Sequence, residues 1–207
     1  MNEEVVSREV KKTGRPSDAR ERILESTLQL LAERGIGGVG VEAIMERAGV
    51  GKGSVYHFFK SKEGLFHAAI EECTRRVEED LEANVFLSSH DPLEIPLRLF
   101  QHLTTERDRH RGLIWLATEC ITNKEMSETT RRQISNLFQA LCRRLEVCFR
   151  RSTAEHELLP NAPAKELAMA CLAFALGALF LTQCENQKET PNQLLPILSK
   201  IWELYLP

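Results

Sequence analysis

The chain has 207 residues, of which 43% are hydrophobic and 28% charged, a balance that excludes a disordered protein. Its formal net charge of −3 does not suggest a nucleic-acid partner, but residues 1–62 carry +2 and residues 63–207 carry −5. The N-terminus has no apolar leader pattern, and the six cysteines show no paired spacing. We therefore expect a cytoplasmic protein with free thiols.

Residues 1–16 form a predicted basic arm that contains Lys11, Lys12 and Arg15. Arg15 precedes Pro16, and the residue before a proline is disfavoured in the α-helical region, so we expect an extended segment. An extended basic arm ahead of a DNA-binding helix can insert an arginine into the minor groove, and Arg15 is the candidate. A solvated, flexible tail explains the same residues equally well.

The first helix is predicted from about Asp18 to Glu33, with Ser17 or Asp18 as its N-cap and Gly35 at its end. Its apolar face is formed by Ile23, Thr27, Leu28 and Leu31. We expect that face to pack behind the two helices that follow.

Two short helices joined by a glycine turn are predicted between residues 41 and 59. The first has one apolar face, formed at i, i+3, i+4 and i+7 by Val41, Ile44, Met45 and Ala48. Gly49 follows where a helix-ending residue takes positive φ. The second runs from about Lys52 to Phe59 and buries Val55 and Phe59, which are four apart. Its outward residues suit phosphates and base edges in a DNA groove; they are Lys52, Gly53, Ser54, Tyr56 and His57.

This segment resembles the DNA-binding core of the TetR family of transcriptional regulators. The resemblance rests on Ile44, Ala48, Gly49, Val50, Gly53, Val55, Tyr56, Phe59, Lys60, Lys62, Glu63 and Leu65. It implies an all-α fold with an N-terminal three-helix helix-turn-helix domain (17–62) and a C-terminal helical effector-binding and dimerisation domain (63–207). It also implies a homodimeric repressor that a small-molecule effector releases from a near-palindromic DNA operator. The implied DNA contacts are Arg15, Lys52, Gly53, Ser54, Tyr56, His57 and Lys62.

Three positions depart from the family pattern. The family has a serine or threonine near Gly40, frequently another at Gly51, and often a phosphate-binding histidine or tyrosine at Phe58. These departures remove side-chain contacts to phosphate. They motivate an alternative function, in which the chain is a thiol-based redox or electrophile sensor, or a helical ligand-binding module, with weak DNA binding.

The rest of the chain is predicted to be helical throughout. A fourth helix, capped by Ser61, continues to about Asn84 with one apolar stripe. Proline, glycine and asparagine separate five further helices at about 92–107, 111–122, 127–151, 163–184 and 191–205. The uncharged stretch from Leu167 to Cys184 is interpreted as a buried helix at a subunit interface and not as a membrane span.

Two groups of residues in this second region are candidate ligand sites. His102, Glu106 and His110 stand at i, i+4 and i+8 and would share a metal-binding face on one unbroken helix. A helix end near 109–112 and the charged surroundings favour a solvated surface instead, so no metal site is predicted. Trp115, Phe138 and Phe174 are candidates for an apolar effector pocket, although ordinary core packing explains each of them.

Three cysteines are candidate redox sensors because cationic residues lie near them in sequence: Cys120, Cys142 and Cys148. The stretch from Gly112 to Glu119 is similar to a segment of electrophile-responsive TetR members, where a sensing cysteine often follows the glycine; here that residue is Leu113. A buried, unreactive thiol is the simpler interpretation of each cysteine. The chain has no catalytic motif, so we predict neither an enzyme nor a cofactor.

Overall fold

The computed structural model describes residues 16–106, 110–124, 126–155, 158–185 and 190–207, and the regular structure in these ranges is entirely helical. The helices are α1 (Pro16–Arg34), α2 (Val41–Ala48), α3 (Lys52–Phe59), α4 (Lys62–Leu81), α5 (Glu94–Thr105), α6 (Arg111–Thr122), α7 (Glu128–Ala154), α8 (Ala164–Glu185) and α9 (Thr190–Glu203). The all-α prediction is confirmed. The predicted basic arm, including Arg15, lies outside the described residues.

Several helix boundaries differ from the predictions by a few residues. Helix α1 begins at Pro16, ahead of both predicted caps. Proline is tolerated there because the N–H that it lacks would have no partner within the first turn of a helix. Helix α4 ends at Leu81 and continues into one π-helical turn, Glu82–Phe86. Helix α5 ends at Thr105 and not near residue 107.

The first three helices enclose a small core of their own. Ile23, Leu31, Ile44 and Val55 are almost completely buried where α1 packs against α2 and α3. Arg47 of α2 forms a bidentate ion pair with Glu33 of α1, with N···O distances of 2.7 and 3.0 Å. This pair and the core hold α2 and α3 in a fixed orientation relative to α1.

The turn between α2 and α3 depends on one left-handed residue. Gly49 has φ 62° and ψ 41°, as the sequence predicts. Its N–H donates to the carbonyl oxygen of Glu46 at 3.3 Å, and the N–H of Val50 donates to that of Met45 at 3.1 Å. These bonds satisfy carbonyl groups that the end of α2 would otherwise leave unpaired.

Helices α4 to α9 form the second helical body. The predicted apolar stripe of α4 is buried; its members are Phe66, Ile70, Cys73, Val77 and Leu81. Helix α8 packs against α5, α7 and α9. Within the described residues, only the stretch 164–182 is long and apolar enough to cross a membrane by length and composition, and 39% of it is buried inside the protein. Its buried side includes Leu167, Cys171, Ala175 and Leu179.

Replacing Gly49 by alanine should destabilise the fold by about 1–2 kcal/mol, because any Cβ raises the energy of the left-handed conformation. No neighbouring atom lies within 4 Å of the added Cβ, so the cost comes from the backbone alone. The matched control is Gly53→Ala inside α3, where the site is equally open and alanine should instead stabilise the helix by roughly 0.5–1 kcal/mol. Urea unfolding followed by circular dichroism measures both, and equal stabilities would contradict the role assigned to Gly49.

Candidate nucleic-acid interface

Helix α3 turns one side inward and presents the other to solvent. Val55 and Phe59 are buried, with exposed fractions of 1% and 7%. Tyr56 is 39% exposed, Lys52, Gly53 and His57 are exposed, and Ser54 is half-buried. The predicted division of the helix is therefore found in the structure. The exposed side offers cationic, hydroxyl and imidazole groups together with an open backbone at Gly53.

The side chains on this surface are free to reorient toward a ligand. The Lys52 ammonium lies 6.0 Å from the centroid of the Tyr56 ring, at the outer limit of a cation–π contact. The rings of His57 and Phe58 meet edge to face at 5.1 Å. Such exposed contacts contribute little energy, so binding DNA in their place has a small cost.

The corner between α3 and α4 is tight and strained. Lys60 has φ 66° and ψ −42°, which places a non-glycine residue in a γ-turn. The N–H of Ser61 donates across it to the carbonyl oxygen of Phe59 at 2.7 Å. A Cβ at Gly64 would lie 2.3 Å from that same oxygen, so only glycine fits there. The sequence pattern did not reveal this geometry.

The first turn of α4 lies beside α3 and begins with a capped, cationic sequence. Ser61 caps the helix as predicted, and its Oγ accepts a hydrogen bond from the N–H of Gly64 at 3.0 Å. Lys62 is exposed, and its ammonium lies 5.1 Å from the centroid of the Phe66 ring. The partial positive charge of a helix N-terminus and the charge of Lys62 both favour a backbone phosphate here.

The departures from the family pattern have structural counterparts. Gly40 and Gly51 are the N-caps of α2 and α3, and neither helix has a side-chain hydrogen bond at its cap. Phe58 is half-buried and packs against the core. A phosphate at the start of either helix would therefore meet backbone N–H groups, but no hydroxyl from the capping residue.

A hydrogen bond between residues far apart in sequence links this region to the second helical body. The N–H of Ile36, in the turn between α1 and α2, donates to Oε1 of Glu119 in α6 at 2.9 Å. Asn123 donates from Nδ2 to the other carboxylate oxygen, Oε2, at 3.1 Å. Periodicity could not identify Glu119, because its partner is a backbone group 83 residues away in sequence.

Two cavities flank α6, and the predicted pocket aromatics do not share either of them. Trp115 lines the first cavity, of about 940 Å³, between α1, α4 and α6. Phe138 lines the second, of about 670 Å³, between α6, α7 and α8. Phe174 packs against Phe100 with ring centroids 5.7 Å apart. The three aromatics therefore lie on different sides of the helical body, and neither of these two cavities brings them together.

Burial opposes the activation of two candidate thiols, those of Cys142 and Cys148. Burial, together with the charge of Glu146, raises the pKa of Cys142 above its ordinary value. Burial also raises the pKa of Cys148, although Arg144 and Arg151 act in the opposite direction. The guanidinium of Arg144 instead pairs with Glu82 and lies over the Phe86 ring. Cys120 and Cys142 nevertheless line the same second cavity.

His102 and His110 do not lie on the solvated face that the sequence suggested. Helix α5 ends before Glu106, which is exposed, and His110 is the N-cap of α6. His110 is only 1% exposed, and His102 is half-buried beside it. Both imidazoles meet Asp80 of α4, which the spacing argument did not include.

Two short helices are joined by a glycine turn, the second of them is exposed, and both are attached to an all-helical body. This is the arrangement of a helix-turn-helix DNA-binding protein. Residues 23–69 match the family model described as bacterial regulatory proteins, tetR family. This region is therefore a TetR-type helix-turn-helix domain, and the relatives that match most of the chain are named as transcriptional regulators or repressors.

Individual relatives resemble different extents of the chain. It is 26% identical to the transcriptional regulator BetI of Stenotrophomonas maltophilia over 78% of this chain and 79% of that protein. It is 43% identical to the transcriptional repressor NemR of Escherichia coli, but over only 26% of this chain and 27% of that protein. The crystal structure of a TetR transcriptional regulator from Chloroflexus aurantiacus matches the fold with a TM-score of 0.82 at 18% identity, covering 92% of this chain and 97% of that one.

The raised pKa of Cys142 predicts slow alkylation near neutral pH. A higher pKa means less thiolate at pH 7, so a variant that retains only Cys142 should react with iodoacetamide more slowly than an unstructured cysteine peptide. Its pH–rate midpoint should lie above that of the peptide and return to the peptide value when the variant is unfolded in urea. Faster reaction in the folded protein would show an activated thiol.

Proposed function

We propose that the chain is a homodimeric, ligand-released repressor that binds a near-palindromic operator. The observation that carries this proposal is the division of α3, which buries Val55 and Phe59 and leaves its polar residues outward. Two copies of such a helix, related by a two-fold axis, read successive major grooves of one duplex. The helix-turn-helix domain comprises residues 17–62 and the effector and dimerisation domain residues 63–207.

In this proposal, α3 lies in the major groove and its flanks hold the backbone. Base edges are read by Lys52, Ser54, Tyr56 and His57, and Lys52 is suited to the two acceptors of guanine. The Gly53 amide, the Tyr56 hydroxyl and Lys62 contact phosphates. Lys62 is supported by its place in the first turn of α4, where the helix N-terminus adds positive potential. Arg15 enters the adjacent minor groove.

Dimerisation is assigned to an apolar surface on α8 and α9. Small residues recur on the exposed side of α8, at Ala170, Ala173 and Gly177, and allow close approach of a second helix. Larger apolar side chains surround them; Met169, Phe180 and Leu181 of α8 and Ile197 of α9 are between 41% and 55% exposed. A second copy of the chain covers this surface best, because a two-fold axis also aligns the two recognition helices.

The effector site is assigned to the second cavity. Its volume of about 670 Å³ is in the range of small-molecule pockets, and Phe138, Met169 and Leu172 give it an apolar wall. Helix α6 contributes Ala117, Cys120 and Ile121 to this cavity and Glu119 to the turn before α2. An effector that displaces α6 would therefore move the helix-turn-helix domain. It favours release when it binds the displaced state better than the DNA-bound one.

A second candidate function is thiol-based sensing in the same cavity. Cys120 and Cys142 both line it, so an electrophile small enough to enter would meet two sulfur atoms. The raised pKa of Cys142 opposes this function near neutral pH. We also place the protein in the cytoplasm and assign it no enzymatic activity, in keeping with relatives that are transcriptional regulators.

Substitutions at Lys52 and Lys62 should weaken DNA binding in different ways. The probe is a set of duplexes that the wild-type chain selects from a random library, with affinity measured by fluorescence anisotropy at several salt concentrations. Lys62→Ala should lower the slope of log K against log salt by about one phosphate contact and weaken all sequences alike. Lys52→Ala should cost about 1–3 kcal/mol on the preferred sequence and reduce discrimination among bases.

Lys124→Ala is the matched control, because Lys124 is an exposed lysine beyond the end of α6. It should bind like wild type. Circular dichroism confirms that each variant is folded. If both Lys52→Ala and Lys62→Ala bind DNA with the wild-type affinity and salt slope, the proposed DNA contacts are wrong.

Gly177→Arg should convert the dimer to a monomer. A Cβ at Gly177 meets no atom within 4 Å in the single chain, so the substitution leaves the protomer fold intact and blocks only close helix approach. Asn136→Arg, on the exposed side of α7, adds the same group elsewhere and should remain dimeric. Analytical ultracentrifugation distinguishes the two states. A Gly177→Arg protein that stays dimeric would exclude this surface of α8 as the interface.

A further inference from the structure

Three metal-ligating side chains converge where α4, α5 and α6 meet. Asp80 comes from the last turn of α4, His102 from the last turn of α5, and His110 from the N-cap of α6. Nε2 of His102 lies 2.6 Å from Oδ2 of Asp80, and Nε2 of His110 lies 3.3 Å from the same oxygen. The two imidazole centroids are 4.9 Å apart. We refer to these three residues as the His–Asp–His cluster.

The ligand atoms of the cluster lie close enough together to bind a single ion after a small adjustment. One donor atom from each residue lies within 4.8 Å of the other two. A tetrahedral zinc ion bonds nitrogen and oxygen at about 2.0–2.2 Å, which sets its ligands roughly 3.3 Å apart. The distance between Asp80 and His110 equals this value. The shorter contact from Asp80 to His102 is a hydrogen bond, and an ion would replace its proton while the two groups separate by under about 1 Å.

The cluster can be reached from solvent through the first cavity, because Asp80 and His110 form part of its wall. The other carboxylates that line this cavity are already paired with arginines, so the cluster itself provides the ligands for an ion that enters here.

We propose that the His–Asp–His cluster binds one divalent first-row transition ion of the Zn²⁺ class. Two imidazoles and one carboxylate form a ligand set that suits Zn²⁺, Co²⁺ or Ni²⁺, whereas Mg²⁺ and Ca²⁺ prefer oxygen ligands alone. Three protein ligands leave a fourth position for water or for a group that enters from the first cavity. Burial of His110 keeps one ligand in place before the ion arrives.

The ion would also act on DNA binding, and this part of the inference rests on the proposed function. Helix α4 begins at the strained corner beside α3 and carries Asp80 in its last turn. Helix α6 begins at His110 and carries Glu119, which accepts the hydrogen bond from Ile36. The ion clamps α4 and α6 together with α5. Clamping changes the relative populations of the DNA-bound and released arrangements, so metal and operator affinities become linked.

Binding is tested with Co²⁺ and the full-length chain after treatment with a chelator. Co²⁺ in a low-coordinate nitrogen and oxygen site gives visible ligand-field absorption, which reports binding independently of DNA. We expect saturation at one ion per chain, displacement by Zn²⁺, and a higher thermal midpoint with either ion. Asp80→Asn and His102→Gln should each lower the Co²⁺ affinity by about 100-fold or more.

Matched controls remove neighbouring groups of the same kinds. Glu78→Gln removes an exposed carboxylate two residues from Asp80, and His90→Gln removes an exposed imidazole before α5; both should bind Co²⁺ like wild type. Circular dichroism checks that each variant is folded. If Asp80→Asn does not fold, the Co²⁺ affinity of His102→Gln tests the cluster by itself. Absence of stoichiometric binding, or binding that survives both cluster substitutions, would leave the trio as a hydrogen-bonded structural contact and overturn the proposal.

The link to DNA is tested separately. Affinity for the selected duplexes is measured with and without Zn²⁺, in wild type and in His102→Gln. We expect a change of about 5- to 150-fold in wild type, the usual range of allosteric coupling, and none in the variant. If Co²⁺ binds but DNA affinity is unaffected, the regulatory part is wrong and the ion is structural. If the chain binds no DNA at all, the proposed function fails while the Co²⁺ result stands.

Discussion

The γ-turn at Lys60 is the constraint on which the rest of the structure depends. Helix α3 is short and buries only Val55 and Phe59, so its own core contacts hold it weakly. The turn joins α3 to α4 within two residues, and Gly64 lies so close to the carbonyl oxygen of Phe59 that a side chain there would force the two helices apart. Because α3 and α4 are held at one angle, a tilt of α4 tilts the exposed surface of α3. Strain of this kind persists only where surrounding packing enforces it.

Helix α6 is the second route between the two parts of the protein. It lies between the two cavities, and its Glu119 accepts a hydrogen bond from Ile36 in the turn that precedes α2. A ligand in either cavity contacts α6 directly. In the proposed mechanism the effector and the metal ion act on the same helix from opposite sides. Both would therefore bias one conformational equilibrium, and neither needs a separate path to the DNA.

Burial decides the chemistry of the titratable groups more strongly than their sequence neighbours do. Arg143 and Arg144 follow Cys142 in the chain, but successive residues on a helix point about 100° apart. Arg144 is engaged with Glu82, while burial, and after it the charge of Glu146, raises the pKa of Cys142. His110 shows the complementary case. Its neighbours in sequence are charged, yet its side chain is enclosed between helices.

The sequence by itself determined the helices and the exposed surface of α3, because these follow from local rules. Apolar spacing sets which side of a helix is buried, Gly49 supplies the left-handed turn, and Ser61 supplies a cap. Only the tertiary structure decided which residues from distant helices meet. Asp80 joins His102 and His110 through the packing of three helices, and Phe138 is separated from Trp115 by the body of α6. Such contacts depend on crossing angles and side-chain volumes summed over the whole core, which no local spacing encodes.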